Sequence, residues 1–421
     1  MFADNIIKLR DFPYPYKAGL AICSDIDYCD STTFRRVHQF INDRKTGLGL
    51  PVADSFFGIG QAAGQMAYFE KNGQTQSKDA ELIRRAIAGG VIDSIHSWGD
   101  FNNNFPNPSF VRKVAENLNE DFSRHNLKIK IWINHGDSFN LQNIQARLQP
   151  YYSGDVLNSP FYTADLVKAI GVKFYWWSEL LPWPLSGKPQ NTSPYFWLKM
   201  GAITAKNLLR FFKKQKFNSR KINQILELTQ PSFLGDGSML IGFSRFSRHP
   251  EGIWASPTRD TLHYSLSKDV LDNLIRQNGF LILYTHLGLP MNWKRELFPD
   301  EDKNALIRLS EEYHNGNIWV ARTVDILTYL NVIRHLEYDV REEGERTIID
   351  ILSIHDPIDG KRLPEESELS WLCFYTSRPE KTSIRLSGSD LKVQINPPDN
   401  SNEKSISLSG LPFPDSDSID G

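Results

Sequence analysis

The sequence predicts an α/β fold: a (β/α)7-8 barrel followed by a small C-terminal all-β domain. Three observations predict it. Short apolar strands alternate with helix-like segments from Ala18 to His335. Four of the strand ends deliver His or Asp just as the apolar run stops: Ser24-Asp25-Ile26-Asp27, Ile95-His96-Ser97-Trp98-Gly99-Asp100, Asn134-His135-Gly136-Asp137 and Leu283-Tyr284-Thr285-His286. After about Glu337 the helical periodicity stops, and short β-type runs separated by turn formers take over.

The first strand is expected from Ala18 to Ile26, then a helix from Thr32 to Asn42 capped by Ser31. A second strand runs from Pro51 to Ile59 and a helix from Ser77 to Ala88, with Ser77 as cap and Leu82, Ile83 and Ile87 at helical spacing. The third strand is Val91 to Ile95, followed by a helix from Pro108 to Arg124. The fourth is Ile129 to Ile133, and the fifth, Val172 to Trp177, follows a helix from Thr163 to Ile170 closed by Gly171. The alternation then pauses in a long connection, about 182–237, with helical stretches from Phe196 to Phe212 and Arg220 to Leu228. Connections of this length are usually functional or subdomains. The pattern resumes with a strand from Ser238 to Phe246, a helix from Leu266 to Gln277, and a strand from Phe280 to Thr285. A helix from Lys303 to Tyr313, a strand from Ile318 to Ala321 and a helix from Val324 to His335 complete it. The domain reading is a barrel over 1–336, carrying the helical insert, and a small β domain over 337–421 whose tail from Pro412 onward is frayed.

A chain of 421 residues with 40% hydrophobic and 12% aromatic content can bury a sizeable core. Its formal net charge of −2 argues against a general nucleic-acid binder. The basic run Lys213-Lys214-Gln215-Lys216 reads as a solvated helix end. Three cysteines (Cys23, Cys29 and Cys373) make no disulfide framework, and no second Cys/His pair stands at zinc-finger spacing. The start of the chain shows no basic region followed by an apolar stretch, and no run approaches the ~20 apolar residues of a membrane span. The expectation is a soluble, cytoplasmic protein; oligomeric state is not legible.

If strand C-termini gather at one mouth, the carboxylates and imidazoles of the four segments converge. Such a set suits a hard or borderline metal ion with an acid and a base beside it. Asp25 and Asp27, at i and i+2, point to one side of a strand, and two close carboxylates repel unless a cation or shared proton lies between them. Should the chain turn helical after the third strand, His96 and Asp100 share a face and can hold one ion. His135 and Asp137 line the same mouth. Trp177 and Glu179, with Trp176, end the fifth strand as a candidate wall for a sugar. Arg245 ends another strand and can orient a carboxylate. His286 follows an apolar strand and is placed as a general acid.

The order of these motifs resembles the polysaccharide deacetylase family, the NodB-homology barrel of metal-dependent carbohydrate esterases, over roughly residues 15–335. The family's first-strand Thr-Phe-Asp-Asp motif is matched by Cys23-Ser24-Asp25-Ile26-Asp27 and its Phe-Phe strand by Ser55-Phe56-Phe57-Gly58. Its His-x-x-x-His motif is matched in part by His96 to Asp100, its fourth-strand motif falls at Asn134-His135-Gly136-Asp137, and its late Leu-x-His motif looks like Leu283 to His286. The chain departs in having Ile26 between the two acids, Asp100 in place of the second metal histidine, and no arginine near the fourth strand.

The resemblance implies a metal-dependent hydrolase that removes an N-acyl group, N-acetyl first among them, from a sugar or polysaccharide precursor. By the family's pattern Asp25 is the base and His286 the acid. Asp27, His96 and Asp100 hold a divalent ion, zinc by preference with cobalt, manganese or nickel as alternatives. His135, Asp137, Trp177, Glu179 and Arg245 contact the carbohydrate. Two other readings stay open: a glycosyltransferase using Asp25-Ile26-Asp27 as an Asp-x-Asp metal motif, and a non-catalytic carbohydrate-binding protein on a degenerate barrel.

Overall fold

The computed structural model describes residues 7–60, 62, 64–101, 104–136, 138–146, 151–181, 185–186, 228–252, 255–289, 296–399 and 401–419. The helices expected at Phe196 to Phe212 and Arg220 to Leu228 lie outside these residues, Leu228 excepted, and so does Asp137.

The fold is mixed α/β, built on a large and mostly parallel sheet. Its main strands are the first (Ala18–Ser24), second (Asp54–Ile59), third (Ile92–Ile95), fourth (Ile131–Ile133), fifth (Phe174–Leu181), sixth (Met239–Phe246), seventh (Gly279–Thr285) and eighth (Ile318–Val320). Second to seventh lie side by side in sequence order, all parallel. The seventh then pairs with the first, which also carries the eighth. A single parallel bridge, Cys23 to Ala53, lies between the end of the first strand and the residue preceding the second. The connection after the fifth strand contributes strand Thr229–Phe233, which turns back antiparallel onto the sixth. Sequence periodicity does not separate that strand from the helical stretch before it.

The strands are buried on both faces, as near-continuous apolar runs require. Leu20 and Ile22 of the first strand, with Leu281 and Leu283 of the seventh, pack under helices Ser31–Asn42, Lys268–Arg276 and Asp300–His314. The alternate residues Ala21, Cys23, Ile133, Trp176, Phe243 and Ile282 form one cluster on the other face. Two helix starts differ from expectation. Asp30, rather than Ser31, caps the first helix by accepting from Thr33 N at 2.7 Å, because Ser31 is already helical. Ser77 instead bonds Ala67 O through its hydroxyl, and its helix begins at Ala80. Helix Pro108–Arg124 has the expected limits, with Asn107 as cap.

The C-terminal region forms two small sheets. One takes its edge from the other end of the chain: Lys8–Leu9 pairs antiparallel with Cys373–Tyr375. Arg10 fastens this junction through Phe12 O, Pro13 O and Asp399. The cluster on that second face of the large sheet continues through Phe12, Trp319 and Tyr329 to Ile349, Phe374 and Ile406. Where the sequence suggests a frayed tail, the described residues dock: Asp415 N donates to Gly89 O at 2.8 Å, and Ile419, in a short 3-10 turn, is fully buried against the main core. A lone Ile in an acidic stretch carries no periodicity, so this docking is invisible in the sequence.

Truncation after His335 should therefore not leave an intact core. It uncovers Trp319, Ile326, Tyr329 and Leu330, at about 1.5–3 kcal/mol for each large apolar side chain, against a net stability of only ~5–15 kcal/mol. A soluble, cooperatively melting 1–335 fragment in a thermal scan would contradict this.

Asp93, at the base of the third strand, is buried and its carboxyl is pushed up to about 6; the Val324 N–H at 2.9 Å and Arg322 pull the other way but do not prevail. A carboxyl with a raised folded pKa binds its proton more tightly folded than unfolded. Stability therefore falls as pH rises from the unfolded value near ~3.9 towards the folded value, and stays lower above it. Asp93→Asn should stabilise the protein by about 1–3 kcal/mol near neutrality and flatten the slope below it. Urea melts across that pH range would contradict the account if the variant were less stable with the slope unchanged.

Candidate metal and acid–base site

The first strand leaves the sheet at Asp25, whose N–H still donates to Thr285 O at 2.9 Å, while Ile26 N donates to Ser55 Oγ at 3.0 Å. This places Asp25 and Asp27, both buried, beside residues from the neighbouring strand ends. His96 follows the third strand: its N–H donates to Phe56 O at 2.7 Å, and its ring lies 4.8 Å from that of Phe57. His96 Nε2 stands 3.2 Å from Asp27 Oδ2 and 3.7 Å from Asp25 Oδ2. His135 follows the fourth strand, and its Nε2 lies 3.1 Å from Asp27 Oδ1. The two imidazoles stack with centroids 4.8 Å apart. His286, after the seventh strand, points Nε2 at Asp27 Oδ2 from 3.5 Å and at the Tyr284 hydroxyl from 3.3 Å. Its Nδ1 lies 2.6 Å from Pro257 O, an acceptor only, so Nδ1 carries the hydrogen and Nε2 is the atom presented to the site.

Among the described residues, two groups bring possible metal-ligating atoms within 4.8 Å of one another: Asp27, His96 and His135; and Asp25, Asp27 and His286. Asp27 is common to both. Burial alone would raise its carboxyl. The charge of His96 and the hydrogen bond from His135 outweigh burial and hold it well below the usual carboxylate range. Its Oδ2 is buried and accepts no hydrogen bond. The donors fit a cation: a buried anionic oxygen without a hydrogen-bond partner faces an imidazole nitrogen 3.2 Å away, near the ~3.3 Å edge of a tetrahedron with bonds of ~2.0–2.1 Å.

Arg245 orients a carboxylate, as its place at a strand end led one to expect, and that carboxylate is Asp25 of the chain itself. It is fully buried and binds Asp25 through both guanidinium arms, Nη1 to Oδ1 at 2.6 Å and Nη2 to Oδ2 at 3.1 Å. Trp176 and Tyr284 enclose the guanidinium, with ring centroids 3.7 Å and 3.9 Å from Cζ. Burial would lower its pKa, but Asp25 drives it upward.

Asp100 differs from expectation. Ser97 adopts a left-handed φ of 63° and Gly99 bridges to Ile59, so the segment from His96 to Asp100 is not helical and the shared-face argument fails. Asp100 lies in neither group of ligating atoms; its Oδ1 is 3.8 Å from His135 Nε2. His135, expected at the carbohydrate, is instead in the Asp27 group. Trp177 is core: it fills the space beside Gly242, is fully buried and donates from Nε1 to Ser244 Oγ at 3.0 Å. Glu179 is buried with Oε2 3.4 Å from the same hydroxyl.

Sequence reasoning passed over the amides after the fourth strand. Asn134 takes hydrogen bonds from Trp132 Nε1 and Ile144 N and donates to Ile144 O and Trp176 O. Asn143 clasps the backbone of His135, accepting from its N–H and donating to its carbonyl. The signal available was the cluster Asn140-Leu141-Gln142-Asn143, dense in side-chain amides.

No family model matches the sequence, no curated protein matches it, and no solved structure matches the chain. Among the described residues, no helix is long and apolar enough to cross a membrane.

The Arg245–Asp25 pair yields a stability test. Arg245→Met removes the cation and leaves a buried carboxylate, a change that typically costs about 3–5 kcal/mol. Adding Asp25→Asn should recover much of that loss, since the orphaned charge goes with it. Simple additivity of the two substitutions in chemical denaturation would contradict the coupling.

Proposed function

We propose that this protein is a metal-dependent hydrolase that removes an N-acyl group, N-acetyl first among them, from a sugar or polysaccharide precursor. One observation carries the reading. Asp25, Asp27, His96 and His286, from three separate strand ends, lie within 3.2–3.7 Å of one another in the pairs His96–Asp27, His286–Asp27 and His96–Asp25. The resemblance to polysaccharide deacetylases places an acid pair, a metal histidine and a late histidine in the same chain order. Strand neighbours that come round from the second to the seventh and back to the first, with the Cys23–Ala53 bridge beside them, support reading the sheet as that family's barrel. Arg245 takes the part of the arginine missing near the fourth strand, since it grips the residue read as base.

Asp27 and His96 would hold the divalent ion, zinc by preference. When bound, it supplies Lewis acidity toward an acyl oxygen and acidifies water. Asp25, immobilised by Arg245, receives a proton from the attacking water on Oδ2. His286, protonated on both nitrogens with its Nδ1–H on Pro257 O, passes the Nε2 proton to the amine nitrogen as the C–N bond breaks, giving a carboxylate and a free amine, and the proton taken up by Asp25 then returns to His286. The Asp-x-Asp glycosyltransferase reading loses support, because Arg245 engages both oxygens of Asp25 and competes with a cation for that carboxylate.

The test is acetate release from N-acetylated sugars with added zinc, cobalt, manganese or nickel, alongside elemental analysis. Asp25→Asn and His286→Ala should keep the metal and lose turnover by about two to four orders of magnitude. His96→Ala and Asp27→Asn should lose the metal first. Metal loss in Asp25→Asn with retention in Asp27→Asn would reverse the roles. Sugar binding without release by the wild type under any of these metals would favour the non-catalytic reading.

A further inference from the structure

Three arginines are buried among the described residues: Arg10, Arg245 and Arg259. Two have strong partners. Arg10 donates to Phe12 O and Pro13 O and reaches Asp399, and Arg245 forks onto Asp25. Arg259 has none of comparable strength. Its Nε and Nη1 are buried without a hydrogen-bond partner, and no other described arginine has two such nitrogens. Its ion pair with Asp260 runs from Nε to Oδ1 at 3.9 Å, beyond hydrogen-bond reach. The hydroxyl of Thr258, on the same turn, is also buried without a partner.

The surroundings do not make up the deficit. Cys29 stands beside the guanidinium, but burial drives its thiol upward and keeps it neutral. Asp30 is near and spends Oδ1 on the Thr33 N–H. Arg36 adds a like charge. The net effect lowers the pKa of Arg259, with burial as the main cause, whereas carboxylates raise those of Arg245 and Arg322. Arginine stays charged even so, and a buried charge short of hydrogen bonds is expensive. Buried donors without partners are rare enough in folded proteins to call for a reason.

The turn that carries Arg259 adjoins the candidate site. Pro257 O, two residues back, accepts from the backbone N–H of His286 and from its Nδ1. Arg259 N donates to Leu289 O at 3.2 Å, and Thr258 N donates to Thr261 Oγ1 at 2.9 Å, which fixes the turn. The loop after the first strand arrives from the other side. Cys29 packs so closely on Gly288 that a Cβ there would lie 2.4 Å from its Sγ. Cys29 is two residues from Asp27, and two residues span at most ~7 Å. The guanidinium is thus held between the loops that carry Asp27 and His286.

We infer that Arg259 is the anion-binding residue of this site and takes an oxyanion carried by the sugar, a carboxylate or a phosphate, so that the substrate is an acidic sugar. A guanidinium edge matches a pair of oxygens in either group. Asp260 lies on the Nε side, which leaves the Nη1–Nη2 edge for the ligand. Arg259 keeps 7% of its surface exposed, and that is the ligand's approach. An anion there supplies the hydrogen bonds and the countercharge that the folded chain withholds. The substrate class rests on the hydrolase reading; the anion site does not.

Isothermal titration of the full chain tests it with four probes: inorganic phosphate, N-acetylglucosamine, its 6-phosphate and the corresponding uronic acid. The acidic sugar that carries the right oxyanion should bind about ten- to a hundred-fold tighter than the neutral one, the worth of hydrogen bonds to a charged group. The tighter of the two acids identifies the oxyanion. Arg259→Gln should erase the preference and abolish phosphate binding. Arg259→Lys keeps the charge but loses the planar fork, and should retain part of the preference. Equal affinity for acidic and neutral sugars, a preference that survives Arg259→Gln, or a wild type that binds none of the four overturns the inference. Thermal melting tests for a structural role. Arg259→Met removes the charge and no hydrogen bond, so without ligand it should melt no more than about 4 °C below the wild type. A larger fall makes Arg259 a structural cation and overturns the inference. Arg259-dependent binding of an acidic sugar, with no acetate released under any divalent metal, would sink the hydrolase reading and leave the anion site standing. Faster acetate release from the neutral sugar than from either acid would keep the hydrolase reading and overturn the anion site.

Discussion

The buried ion pair between Asp25 and Arg245 is the constraint around which the strand ends are arranged. It ties the first strand to the sixth across 220 residues of sequence. Trp176 from the fifth strand and Tyr284 from the seventh close over the guanidinium. Burying two charges is expensive, and their attraction offsets the cost only where the geometry is good. Two parallel guanidinium–carboxylate bonds supply that geometry, and the aromatic faces add cation–π attraction in a dry setting. Four adjacent strands therefore hold a common position, and Asp25 has one orientation.

Asp27 has the opposite character. No arginine pairs with it among the described residues. Three imidazoles surround it instead, each held on its far side by the protein: His96 by Ile133 O, His135 by Asn140 and His286 by Pro257 O. Two carboxylates two residues apart thus have distinct chemistry. One is saturated by a fixed cation, and the other keeps an oxygen without a hydrogen-bond partner. Those environments support the proposed division of labour between a positioned base and a ligand, the kind seen where neighbouring acids are set apart by their surroundings.

Much of this was legible in the sequence, and for local reasons. Apolar runs that end in Asp or His mark buried strands whose ends carry polar groups, and the neighbours Asp25, Asp27, His96, His135 and His286 did come together. Helix Pro108–Arg124 could be read to the residue because Asn107-Pro108 is a strong start signal. What failed depended on contacts that no window contains. Asp100 was placed by helical spacing, but the positive φ at Ser97 turns the segment out of a helix. Trp177 was read as a wall for a sugar, and Arg245 as orienting a carboxylate, from their places at strand ends, but neither place says what the side chain meets. The irregular register between the fifth and sixth strands, and Gly242 beneath the indole, decide instead that Trp177 is core and that Arg245 points at Asp25. The tail is held by a backbone hydrogen bond from Asp415 and one buried isoleucine, and the amides that bond His135 lie in a stretch with no periodicity at all.

The central claim is that Asp27 and His96 form the cation site while Asp25 stays with Arg245. Diffraction from crystals of the zinc-loaded protein, measured on both sides of the zinc absorption edge, tests it most directly. The account predicts an anomalous peak at about 2.0–2.1 Å from Asp27 Oδ2 and His96 Nε2, with the Asp25 carboxylate still on the guanidinium. A peak bonded to Asp25, or zinc only at sites away from this cluster, would contradict it.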